Sequence, residues 1–97
     1  MPKGDAVGSY IEERRQEVHR LVEGALLHLG IREYSVSVTR RRGVDVYSPE
    51  EPLFAVKAEV ARPLGGDEVE FVVGGLRDRG YSVKRLRSLD DRLLLLV

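Results

Sequence analysis

The feature that most constrains this chain is a change of hydrophobic period that happens twice. Ile11, Val18, Leu21, Val22, Ala25, Leu26 and Leu29 recur at three- and four-residue steps, the spacing of one helical stripe. Glu12, Glu13, Arg15, Gln16, Glu17, Arg20 and Glu23 line the other side. After Gly30 the period drops to two, with Tyr34, Val36 and Val38 alternating with Ser35, Ser37 and Thr39. The same switch follows a second stripe of Val69, Val72, Val73 and Leu76, closed by Gly80. A chain of 97 residues that changes period in this way is one mixed α+β domain, in the order helix, strand, strand, helix, strand, strand.

The expected elements are a helix over 9–29, strands over 31–40 and 53–62, a helix over 67–79, and strands over 81–89 and 92–97, with 1–8 flexible. Ser9-Tyr10-Ile11-Glu12 reads as a capping box that starts the first helix, and Gly30 and Gly80 read as left-handed caps. Gly74 and Gly75 lower helix propensity by ~1 kcal/mol each relative to Ala, which points either to an early, frayed end of the second helix or, the favoured reading, to its close packing on the sheet. Arg40-Arg41-Arg42-Gly43 reads as a bend, Val44–Tyr47 as a short extra arm, and Ser48-Pro49-Glu50-Glu51-Pro52 as a turn.

The run Leu93-Leu94-Leu95-Leu96-Val97 is apolar on both faces and belongs in the middle of a sheet, whereas its charged hairpin partner belongs at an edge. With a right-handed crossover through the second helix, the edge-to-edge strand order is third, fourth, second, first, with the second and fourth strands parallel in the centre. The result is a four-stranded, mainly antiparallel sheet with both helices on one face, resembling a circularly permuted ferredoxin-like fold. Val36, Val38, Phe54, Val56 and Val60 then face the helices. The opposite face carries Ser35, Ser37, Thr39, Arg41, Ala55, Lys57 and one alternate set of the terminal leucines.

Catalytic and metal chemistry find little support, so the expectation is a non-enzymatic protein without a cofactor or metal. There is no Cys, and His19 and His28 lie nine residues apart on one helix, pointing in different directions. No phosphate-binding glycine loop with its Lys and no nucleophile elbow is present. No apolar run approaches the ~20 residues that span a bilayer, and Met1-Pro2-Lys3-Gly4-Asp5 is not the start of a signal peptide, so a cytoplasmic location is expected. Arg outnumbers Lys 13 to 3 and Asn is absent, a composition suited to a hyperthermophile.

Sixteen basic and sixteen acidic residues give a net charge of zero, but the signs are segregated. Between Arg32 and Arg42 four arginines stand against Glu33, and between Arg77 and Arg87 five cations stand against Asp78. On the expected sheet these segments form basic rims around an apolar floor, an arrangement suited to single-stranded nucleic acid. The candidate contacts are Arg40, Arg41, Arg42, Lys57, Lys84, Arg85 and Arg87, with Tyr47 as the stacking aromatic, Phe54 in the core, and Tyr34 and Tyr81 open to either role. Arg-rich edges also block edge-to-edge pairing of sheets, so the alternative is an assembly protein that oligomerises through its open face.

A small Arg-rich chain with a long first helix, the segment Ser35-Val36-Ser37-Val38-Thr39-Arg40-Arg41-Arg42 and an apolar floor resembles the thermophile single-stranded DNA-binding proteins of the ThermoDBP-related group. The resemblance implies sequence-tolerant binding of single-stranded DNA by a homo-oligomer, with basic and aromatic side chains in a groove between subunits.

Overall fold

The computed structural model describes residues 3–43 and 51–97, with side chains in the first helix from Gly8 onward. Its elements are α1 (Lys3–His28), β1 (Tyr34–Arg40), β2 (Phe54–Val60), α2 (Gly66–Asp78), β3 (Arg85–Ser88) and β4 (Arg92–Leu96). The strand order is β1-β2-β4-β3, as the apolar run of β4 requires. Val44–Tyr47, the expected extra arm, lies outside the described residues.

Every neighbouring pair of strands is antiparallel, including β2 with β4, so the expected parallel central pair is wrong. The crossover helix α2 returns the chain to start β3, and it is β3 that runs parallel to β2. A tight hairpin then reverses the chain, with the Leu89 N–H donating to the Arg92 carbonyl at 2.8 Å, and drops β4 between them. The sequence expectation had assigned the crossover to the wrong member of the hairpin.

Both helices end by the same device. Gly30 and Gly80 take φ of 82° and 89°, the left-handed conformation that glycine adopts without a Cβ clash. The next N–H reaches back, Ile31 to the Leu26 carbonyl and Tyr81 to the Leu76 carbonyl, each at 3.0 Å. These are Schellman closures, and each buries the residue after the glycine. Because Ile31 and Tyr81 are committed to closing helices, β1 and β3 begin later than period-two patterning suggests, at Tyr34 and Arg85. At its other end α1 starts at Lys3 rather than Ser9. Gly4 and Gly8 lower propensity by ~1 kcal/mol each but do not obstruct helical geometry, so the Ser9 box lies inside the helix.

The core lies between the helices and one face of the sheet. Val18, Val22, Leu26, Val72, Val73 and Leu76 meet Val38, Phe54, Val56, Ala58, Leu93 and Leu95, all buried. His19 and Tyr34 fasten α1 to β1 at the margin: the His19 Nε2 lies 3.0 Å from the Val36 carbonyl, and the Tyr34 hydroxyl donates to Glu23 at 3.1 Å. Gly74 and Gly75 do not pack closely on the sheet. No atom lies within 4 Å of where either Cβ would stand, because both face a shallow surface groove between the helices. There His28, at the margin of the helix pair as a boundary histidine would be, stacks on Phe71 at 4.9 Å.

Candidate functional site

Antiparallel register aligns the second face of the sheet into rows that cross all four strands. One row is Thr39, Ala55, Leu96 and Arg85, and the next is Ser37, Lys57, Leu94 and Arg87. Ser35, Glu59 and Arg92 continue the pattern. Neither helix covers this face. The twist of the sheet makes it an open groove of about 650 Å³, floored by Ala55, Leu94 and Leu96 and edged by Ser37 and Thr39 on one side and Arg85 and Arg87 on the other. Leu94 and Leu96 are half-buried, whereas Leu93 and Leu95, which point to the helices, are buried.

The face is electropositive: Lys57, Arg85, Arg87 and Arg92 stand against Glu59 and against Asp91, which pairs with Arg92 at 3.1 Å. Acid is concentrated across the molecule, where α2 carries Asp67, Glu68, Glu70 and Asp78 against Arg77. Lys57 bridges Glu59 at 2.9 Å, but both side chains are about half exposed. Exposed pairs contribute only about 0–1 kcal/mol, so an anionic ligand competes readily for the ammonium group. Arg85 and Arg87 project from one face of β3 about 6.8 Å apart along the strand, a repeat comparable with that of an extended nucleotide backbone.

The sequence candidates divide on this geometry. Lys57, Arg85 and Arg87 share the groove. Arg41 and Lys84 meet Arg85 at the end of the sheet, in a separate concavity with Glu51, Pro52 and Leu96. Arg40 pairs with Phe54 in register and so lies on the helix side of the sheet, away from the groove. Its expected place on a basic rim fails because β-strand alternation sends neighbouring side chains to opposite faces. Arg42 is exposed in the turn after β1. The edge formed by β1 therefore presents hydroxyls, and the cationic rim belongs to β3. Tyr47 lies outside the described residues.

Among the described residues no aromatic ring lies on the groove floor. Phe54 is buried in the core, as expected. Tyr34 turns to Glu23, and burial followed by this carboxylate pushes its hydroxyl above the usual tyrosine range. Tyr81 donates to Glu17 at 2.6 Å, while the Arg14 guanidinium sits over its ring at 4.9 Å and over that of Tyr10 at 5.3 Å. Burial, then the hydrogen bond to Glu17, pushes the Tyr81 hydroxyl up to about 12. This cation-aromatic cluster ties α1 to the segment before β3. Tyr10, Arg14 and Glu17 follow one another along α1, whereas Tyr81 comes from the far side of the sequence, just after the Gly80 closure of α2.

The described residues contain no group of three or more His, Asp or Glu side chains that could hold a metal ion. No described helix is long and apolar enough to cross a membrane. Compared with known proteins, the chain matches no family model, no curated protein and no solved structure.

Proposed function

We propose that the protein is a sequence-tolerant, non-enzymatic binder of single-stranded nucleic acid, and that the open sheet face is its binding surface. The observation that carries this reading is the asymmetric groove, with cations along β3, an aliphatic floor on β4 and hydroxyls on β1. A phosphate backbone following β3 meets Arg87 and Arg85 in turn, and the attached bases lie across Leu94 and Leu96 toward Ser37 and Thr39. The floor accepts unstacked bases by apolar contact, and the Ser37 and Thr39 hydroxyls can rotate to donate to or accept from any base edge. A duplex keeps its bases stacked and so offers no base face to the aliphatic floor, which therefore adds nothing to duplex binding.

Closure of the groove by the same face of a second copy is disfavoured wherever it sets cation over cation. Facing sheets lie about 10 Å apart, where like charges at an effective dielectric of 20 repel by about 1–2 kcal/mol per pair. Lys57 is paired with Glu59 and Arg92 with Asp91, so Arg85 and Arg87 carry the uncompensated charge of the face, and a pairing that sets them over their own copies is repelled. A polyanion is the complementary partner.

Fluorescence anisotropy with an unstructured oligothymidylate tests the reading. The expected affinity is micromolar or better at low salt, with log K falling linearly with log salt at a slope near −0.7 per phosphate contacted. Absence of binding at low salt would discard it. If the protein instead dimerises and loses the dimer in Leu94→Glu while ignoring oligonucleotides, the face is an assembly surface.

A further inference from the structure

We propose that the concavity where the sheet ends, between Arg41, Lys84 and Arg85, is a subsite for a terminal phosphate monoester, and that the protein therefore holds the phosphorylated end of a strand. The inference rests on the reading of the open face as a strand-binding groove, but a different set of side chains carries it. The concavity has a volume of about 350 Å³ and shares Arg85 and Leu96 with the groove, so a strand lying along β3 runs directly into it. Its character is different. The groove has an aliphatic floor, whereas here three cations and the carboxylate of Glu51 surround a small polar space.

The cations are anchored by backbone geometry. The Arg41 N–H donates to the Leu53 carbonyl at 2.8 Å, and its guanidinium Nη1 donates to the Pro52 carbonyl at 3.0 Å. This hydrogen bond fixes the half-buried guanidinium in one orientation, with most of its five N–H donors uncommitted to that contact. Lys84 is held at the start of β3 by its N–H to the Leu96 carbonyl at 2.7 Å. Arg41 after β1 and Lys84 and Arg85 at the start of β3 thus line one concavity across the ends of the central strands.

The ligand chemistry follows from charge and oxygen count. A phosphodiester within a strand carries one negative charge and two free oxygens, which Arg85 alone can satisfy. A monoester carries about −1.5 to −2 charges and three strong acceptor oxygens, a match for an Arg fork, a Lys and a second Arg. Three cations against the one carboxylate of Glu51 leave the lining net positive, and because Coulomb attraction scales with ligand charge, two negative charges are held more strongly than one. Strand-terminal and free inorganic phosphate share this chemistry, and the experiment separates them.

The measurement is anisotropy at low salt on the full chain, using an oligothymidylate of about 12 nucleotides, a length within the usual footprint of such surfaces. It is supplied with hydroxyl ends, with a 5′-phosphate and with a 3′-phosphate. One phosphorylated form should bind about tenfold more tightly than the hydroxyl form, the effect of roughly one charge-assisted hydrogen bond. The preference should disappear in Lys84→Ala and Arg41→Ala and increase in Glu51→Gln. It should persist in Arg87→Ala, which weakens all three oligonucleotides alike. Lys84 is exposed, so its variant folds even if Arg41→Ala disturbs the Pro52 contact. Equal binding of all three oligonucleotides by the unaltered protein overturns the subsite and leaves the groove reading standing. If no oligonucleotide binds, inorganic phosphate is titrated while the backbone amide signals of Arg41 and Lys84 are followed by NMR. Saturable shifts then support a free-phosphate site and overturn the groove reading, and no shifts overturn both.

Discussion

At the scale of single residues, the groove rests on which face each arginine occupies. Arg87→Ala should weaken binding of an unstructured oligonucleotide and reduce the salt slope by about 0.7, the share of one phosphate on a single strand. Arg40→Ala, on the helix side of the same sheet, should leave both affinity and slope unchanged. The same anisotropy titration distinguishes these outcomes, and equal losses in the two variants would mean that charge acts without regard to face. Tyr81 permits a spectroscopic prediction. Because its hydroxyl is pushed up to about 12, the highest-pH part of the tyrosine ionisation in an ultraviolet absorbance titration should belong to Tyr81 and disappear in Tyr81→Phe. The folded state holds this proton more tightly than the unfolded chain, whose tyrosines titrate near 10. The associated stability is therefore complete below about pH 10 and is lost between about pH 10 and 12. Tyr81→Phe removes that dependence and should lower stability by about 1 kcal/mol through loss of the Glu17 hydrogen bond.

At the scale of elements, α2 offers two tests. No atom lies within 4 Å of where a methyl group would stand on Gly75, and its φ is not positive. Gly75→Ala should therefore stabilise the protein by up to about 1 kcal/mol through helix propensity alone, measured by chemical denaturation. The first turn is fastened by Glu68, which accepts from the Arg62 guanidinium at 2.6 Å and from the Gly65 N–H at 3.0 Å. Arg62 first, and the Gly65 N–H second, hold its carboxyl down at about 2. With the folded value depressed, the contribution is present above the ordinary glutamate value and is lost as pH falls from about 4.5 toward 2. Glu68→Gln should flatten that part of the acid-unfolding curve.

The elements also show how much of the fold was legible beforehand. Period and composition identified all six elements, the central place of Leu93–Val97 and the two faces of β2, because burial acts directly on side-chain alternation. They misassigned the direction of β4 relative to β2, since direction depends on which hairpin strand the crossover meets. The starts of β1 and β3 were hidden because Ile31 and Tyr81 are apolar in helix closures just as they are in strands. Part of the site was legible too. Lys57 and the leucine floor follow from alternation, but a run such as Arg40-Arg41-Arg42 cannot act as one patch when a strand ends inside it. Two of these residues go to opposite faces, and the third lies in the turn.

At the scale of the whole molecule, zero net charge conceals a polarised body, with acid on α2 and cations on the open face. That polarity orients a polyanion toward the sheet and away from the helices, and it weakens as salt shortens the range of the field. The central claim is that this face, and no other, receives a single strand. The most direct measurement is an NMR map of amide shifts on adding an unstructured oligothymidylate at low salt. The predicted shifts fall on Ser37, Thr39, Lys57, Arg85, Arg87, Leu94 and Leu96, with the outer surfaces of α1 and α2 unmoved. Shifts centred on the groove between the helices, or none at all, would contradict the account.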